Sequence, residues 1–193
     1  MKKLFKRVVV VSTLAFALQG CIFVAGAAAG ATAIAVVYDH RTIENTIQDT
    51  DIANKVLTQI RQVPALHTES HIEVTVFNRV VLLSGQTPNG AWKQQAENVA
   101  KTVPGVTRVY NQITVQGPSS SLIRTSDSWI TTKIKGAMLA DEDLKSSSIK
   151  VVTENGIVYL MGTVKRQQAD IAVDIARQVS GVQKVVKIFQ YKN

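Results

Sequence analysis

"HIEVTVFNRVVLLSG", residues 71–85, sets two apolar-rich runs on either side of an Asn-Arg pair. Ile72, Val74 and Val76 stand two apart, and Val81 and Leu83 do the same. That period belongs to a strand with one buried face. Asn78, between the two runs, marks the tight turn of a hairpin. The stretch returns 77 residues later as "SIKVVTENGIVYLMG", 148–162. Ile149, Val151, Asn155, Val158, Leu160 and Gly162 take the places of Ile72, Val74, Asn78, Val81, Leu83 and Gly85. The chain therefore carries two copies of one unit.

The match extends outward from both hairpins. Upstream, "DIANKVLTQI" (51–60) lies over "WITTKIKGAM" (129–138), with Ile52, Lys55, Val56 and Ile60 facing Ile130, Lys133, Ile134 and Met138. Apolar residues at i, i+4 and i+8 predict a helix. Downstream, "AENVAKTVPGVTRVYNQITV" (96–115) lies over "AVDIARQVSGVQKVVKIFQY" (172–191). This predicts a second helix, about 89–103 and 166–179, ended by Gly105 or Gly181, and a last strand over 106–115 and 182–190. Ala96/Ala100 and Ala172/Ala176 give that helix a small-residue stripe for close approach to a sheet. The fold class is α+β: two tandem αββαβ units, each with two helices packed on a three-stranded mixed sheet. The first unit spans 47–116 and the second 126–193. "GPSSSLIRT", 117–125, reads as a linker, with Ser126 or Asp127 as the N-cap of the next helix. Its Gly, Pro and Ser predict independent units with a flexible joint near 117–121.

Residues 1–20 read as an export signal: a basic "MKKLFKR" and an apolar "VVVVSTLAFAL". The segment ends in Leu18-Gln19-Gly20-Cys21, which resembles the lipobox of bacterial lipoproteins. That resemblance implies cleavage before Cys21, acylation of Cys21, and a periplasm-facing protein. Ile22, the residue after the cysteine, implies the outer membrane in the sorting system it resembles. Residues 21–46 then form an acylated cysteine and an apolar tether. "IFVAGAAAGATAIAVVY" is rich in Gly and Ala, which insert weakly, although a second membrane span stays open as an alternative.

The unit from 47 onward resembles the BON domain, and the whole chain resembles dual BON-domain outer-membrane lipoproteins. The residues carrying this are the lipobox, the glycine pairs Gly85/Gly105 and Gly162/Gly181, and "SDSWITTKIKGAML" at 126–139. The resemblance implies phospholipid binding and a part in envelope integrity, with no catalytic residues and no cofactor.

The residues themselves offer little chemistry. Of His40, His67 and His71, the last two are four apart but straddle a strand start, so no metal set is assigned. Asp141-Glu142-Asp143 reads as a solvated turn. The serine runs at 119–121 and 146–148 lack a neighbouring base and a G-x-S-x-G frame. No enzyme activity is expected. Nucleic acid is not expected as a partner: there is no GXXG clamp and no aromatic pair on a strand, and export removes the chain from it.

The formal charge of +8, from 22 basic and 14 acidic residues, is unevenly spread. Residues 1–20 hold four of the bases, and residues 117–193 hold eleven bases against seven acids. On a helical wheel of 129–139, Ile130, Ile134, Ala137 and Met138 share the core arc. Trp129 and Leu139 fall opposite, with Thr132 and Gly136, flanked by Lys133 and Lys135. In the first copy Asp51 and Arg61 hold the places of Trp129 and Leu139. An apolar patch ringed by bases marks an interaction site, and Trp with Lys suits an anionic membrane surface. Anionic phospholipids are the expected partner, bound through the second unit. The alternative is a scaffold docking an outer-membrane partner such as the barrel assembly machinery. Packing of Trp129 against the linker or the first unit also stays open. The first unit would dock onto the second or onto an envelope protein.

Overall fold

The computed structural model describes residues 43–192; the signal segment, Cys21 and the tether lie outside the described residues. The first unit runs α1 (Ile43–Arg61), α2 (Pro64–Thr68), β1 (His71–Phe77), β2 (Val80–Thr87), α3 (Gly90–Thr102), β3 (Arg108–Asn111) and β4 (Thr114–Val115). The second runs α4 (Ser121–Ala140), a 3-10 turn (Ser146–Ser148), β5 (Ile149–Glu154), β6 (Ile157–Val164), α5 (Arg166–Gln178) and β7 (Lys184–Tyr191). Both sheets are mixed: β1 pairs antiparallel with β2, which pairs parallel with β3 and β4, and β5-β6-β7 repeats the pattern. In the first unit the last strand breaks where Ile113 turns fully inward.

The hairpin turns need both central residues left-handed, and they have them: Asn78 and Arg79 at φ 47° and 62°, Asn155 and Gly156 at 50° and 72°. Such turns match the twist of the flanking strands. In each copy a helical aspartate clamps the turn. Asp49 accepts from Asn78 N at 2.7 Å and Arg79 N at 2.8 Å. Asp127 accepts from Asn155 N at 2.7 Å and Gly156 N at 2.8 Å. Gly85 shows why the next strand carries glycine: a Cβ there would sit 2.0 Å from His71 O.

Three sequence expectations are corrected. The helix of the second unit does not start at Ser126 or Asp127; Ser120 caps it, accepting from Ile123 N. Thr125 and Ser128 turn their hydroxyls back onto the carbonyls of Ser121 and Arg124, so the Ser/Thr-rich stretch continues the helix instead of breaking it. Ala137 is exposed; the buried line is Asp127, Ile130, Ile134 and Met138, with half-buried Thr131 beside it.

The third correction concerns the joint. Each unit has its own aliphatic core between its helices and one sheet face. A third cluster, Phe77, Val80, Leu82, Tyr159, Met161 and Ile188, joins the two sheets by their other faces. The units therefore dock back to back, with helices outermost. The physical reason lies in β2, whose residues are buried on both faces. Polar contacts close the seam: Asn78 Nδ2 to Thr163 Oγ1 at 2.8 Å, Lys150 Nζ to Val76 O at 3.3 Å, and Gln86 Nε2 to Glu154 Oε1 at 2.6 Å. The linker is held too, since Ser119 N donates to Gln86 Oε1 and Arg124 Nη1 to Ser119 O.

Candidate membrane-binding site

Helix α4 is fixed from below. Ile130, Ile134 and Met138 sit in the core, and Gly181, at φ +94°, lets the chain pass over Ile130; a Cβ there would lie 2.9 Å from Ile130 Cδ1. This seating sets the opposite face outward. Trp129 is 51% exposed and Leu139 47%, and Thr132, Lys133, Lys135 and Gly136 are exposed with them. A Cβ on Gly136 would meet nothing within 4 Å, so packing does not demand glycine there. Lys133 Nζ stands 5.3 Å from the centre of the Trp129 ring, within cation–π range. Neither Trp129 nor Leu139 belongs to a core cluster.

The first unit offers a control on the same scaffold. At the matching i, i+4 positions, Asp51 and Lys55 form an exposed ion pair at 2.6 Å. One copy thus pairs its lysine with a carboxylate, the other with an indole ring.

Sequence reading missed Leu122, which is 81% exposed and belongs to α4, not to a linker. It lies seven residues before Trp129, two helical turns along the same face. The seven-residue spacing was the available signal. Ile123, 38% exposed, lies beside it.

The other singled-out residues are ordinary or lie elsewhere. Asp141-Glu142-Asp143 forms a turn in which Asp143 N donates to Asp141 Oδ1 and Gln168 Nε2 donates to Asp143 O. His67 is exposed in α2, and His71 opens β1. Cys21 and His40 lie outside the described residues. Among the described residues, no helix is long and apolar enough to cross a membrane.

The BON domain model matches this chain twice, over residues 48–117 and 126–193. The chain is 40% identical over 174 residues to outer membrane lipoprotein DolP of Haemophilus influenzae, covering 90% of each chain. It is 38% identical over 154 residues to a 21 kDa hemolysin of Actinobacillus pleuropneumoniae, covering 79% of each. It is 38% identical over 117 residues to osmotically-inducible protein Y of Escherichia coli, covering 59% of this chain and 58% of that one. The chain belongs to the BON-domain family, as a dual BON-domain, lipid-anchored protein of the outer membrane.

Proposed function

We propose that this protein binds anionic phospholipid membranes through the outer face of α4 in its second BON domain, and supports envelope integrity by that binding without catalysing a reaction. One observation carries the reading: Trp129 and Leu139 stay half-exposed on the outward face of a helix whose other face is fully packed. Leaving apolar side chains in water is unfavourable by about 25 cal/mol per Å². An interfacial bilayer region removes that cost, and a Trp ring is suited to it. Lys133 and Lys135 would each add about 1 kcal/mol beside anionic headgroups. Acylation of Cys21 would hold the protein at the periplasmic face. Anchoring makes the second contact intramolecular, so a weak surface affinity suffices.

The test is co-flotation of residues 39–193, which form one compact unit, with vesicles of graded anionic content. Wild type should float in proportion to anionic lipid, and Trp129→Glu should not. A folded Trp129→Glu that still floats places the membrane contact elsewhere. Wild type that never floats turns the same patch into a docking surface for an outer-membrane protein partner.

A further inference from the structure

We propose that His71, Glu73 and Glu154 form a site for a divalent transition-metal ion of the zinc type, shared between the two BON domains. His71 and Glu73 are two apart on β1 and share a face. Ile72 and Val74, between and beyond them, face their own core, so the His71/Glu73 face looks toward the other sheet. Glu154 ends β5 in the second domain. One ligand atom from each of the three lies within 4.8 Å of the other two. An imidazole nitrogen with two carboxylate oxygens suits zinc and its first-row neighbours. Calcium takes six to eight oxygens, and magnesium few protein ligands.

Carboxylates outnumber cations around the site: Glu73, Asp127 and Glu154 line the same groove as one arginine, Arg124. Glu154 is only 6% exposed, and its hydrogen-bond partner, Gln86, is a neutral amide. Glu73 adds a second carboxylate, and His71 Nε2 is 3.6 Å from it, too far for a hydrogen bond. Buried charge is costly unless it is paired or binds a metal.

A second observation is independent of the carboxylates. Among the described residues, the buried side-chain polar atoms with no partner are His71 Nε2, Ser84 Oγ and Ser119 Oγ. All three gather at this end of the seam. Ser84, fully buried, is the cross-strand partner of Glu73, and Ser119 is bonded through its backbone to Gln86. Buried polar groups are nearly always satisfied. A bound ion with its remaining water would give these atoms partners, as outer groups around metal sites do. A groove of about 360 Å³, lined by Glu73, Thr75, Arg124, Asp127 and Glu154 among others, gives access.

Nor does the shared fold demand these residue types. In the second copy Ser148 and Lys150 hold the places of His71 and Glu73, so only one copy carries the donors. The sequence reading weighed only His67 with His71 and assigned no metal; Glu73 and, from the other domain, Glu154 did not enter it.

The experiment uses the full chain in detergent, stripped with a chelator and titrated with zinc and with cobalt(II). Wild type should take up one equivalent, show a cobalt ligand-field spectrum and gain thermal stability. His71→Ala and Glu154→Gln should each weaken binding about tenfold or more. His71 is half-buried at a strand start, so its variant carries the test if Glu154→Gln misfolds. No stoichiometric uptake by wild type, or wild-type affinity in His71→Ala, overturns the site.

Discussion

Gln86 donates from Nε2 to Glu154 Oε1 across the domain seam, at 2.6 Å and from a position 68 residues earlier in the chain. The same amide accepts from Ser119 N in the linker, so one buried side chain ties both domains and their connection. Gln86→Ala leaves the Glu154 carboxyl without that donor. It should destabilise the protein by about 1.5–3 kcal/mol in urea unfolding, the range for hydrogen bonds to charged groups. Limited proteolysis of wild type should give one resistant core. Gln86→Ala should expose a cut within 117–121, and a wild-type cut there of equal speed would mean the seam is open in solution.

Leu122→Glu should weaken vesicle binding in the same direction as Trp129→Glu, because both occupy one stripe of α4. Circular dichroism should stay native for both, since neither residue packs in a core. Lys133→Ala should cost roughly fivefold, about 1 kcal/mol, and that share should vanish in high salt. Asp51→Lys should change little. Loss of helical signal in Trp129→Glu would mean that the ring is structural.

Burial between the sheets pushes the Tyr159 phenol up to about 12 from 10.0, with the Glu154 charge adding to it. The folded state therefore favours the neutral phenol. Stability from this group is whole below about pH 10 and is lost as pH rises toward about 12. Urea midpoints across that window should fall for wild type and fall less for Tyr159→Phe. Equal slopes would show that other groups govern alkaline unfolding.

Cys21→Ala should abolish labelling by palmitate and leave the signal segment uncut. Maturation and outer-membrane partitioning of that variant would remove the lipobox reading.

Much of the fold was legible because the two-residue spacing of Ile72, Val74 and Val76, repeated by Ile149 and Val151, is a period only strands share. The Asn-Arg and Asn-Gly turns were legible for the same local reason. The seam was harder. Its signal was present in the unbroken apolar runs Val80–Leu83 and Ile157–Met161, which fit strands buried on both faces. Alternation on their partner strands β1 and β5 masked it. The wheel set Trp129 and Leu139 off the core face, where they are exposed, whereas Leu122 hid behind Pro118 and three serines that look like a break. Ala137 was misplaced because a small apolar residue carries little directional information.

Back-to-back sheets put α1 and α4 on opposite outer layers. Three layer spacings of about 10 Å each separate them. With α4 against a bilayer, α1 stands on the order of 30 Å above the headgroups, several times the ~8 Å screening length of physiological salt. The charges of Asp51, Lys55 and Arg61 are then electrically invisible to the lipid surface. If the second domain holds the membrane as proposed, the first could vary its outer charge, for whatever approaches from the aqueous side, without altering that hold.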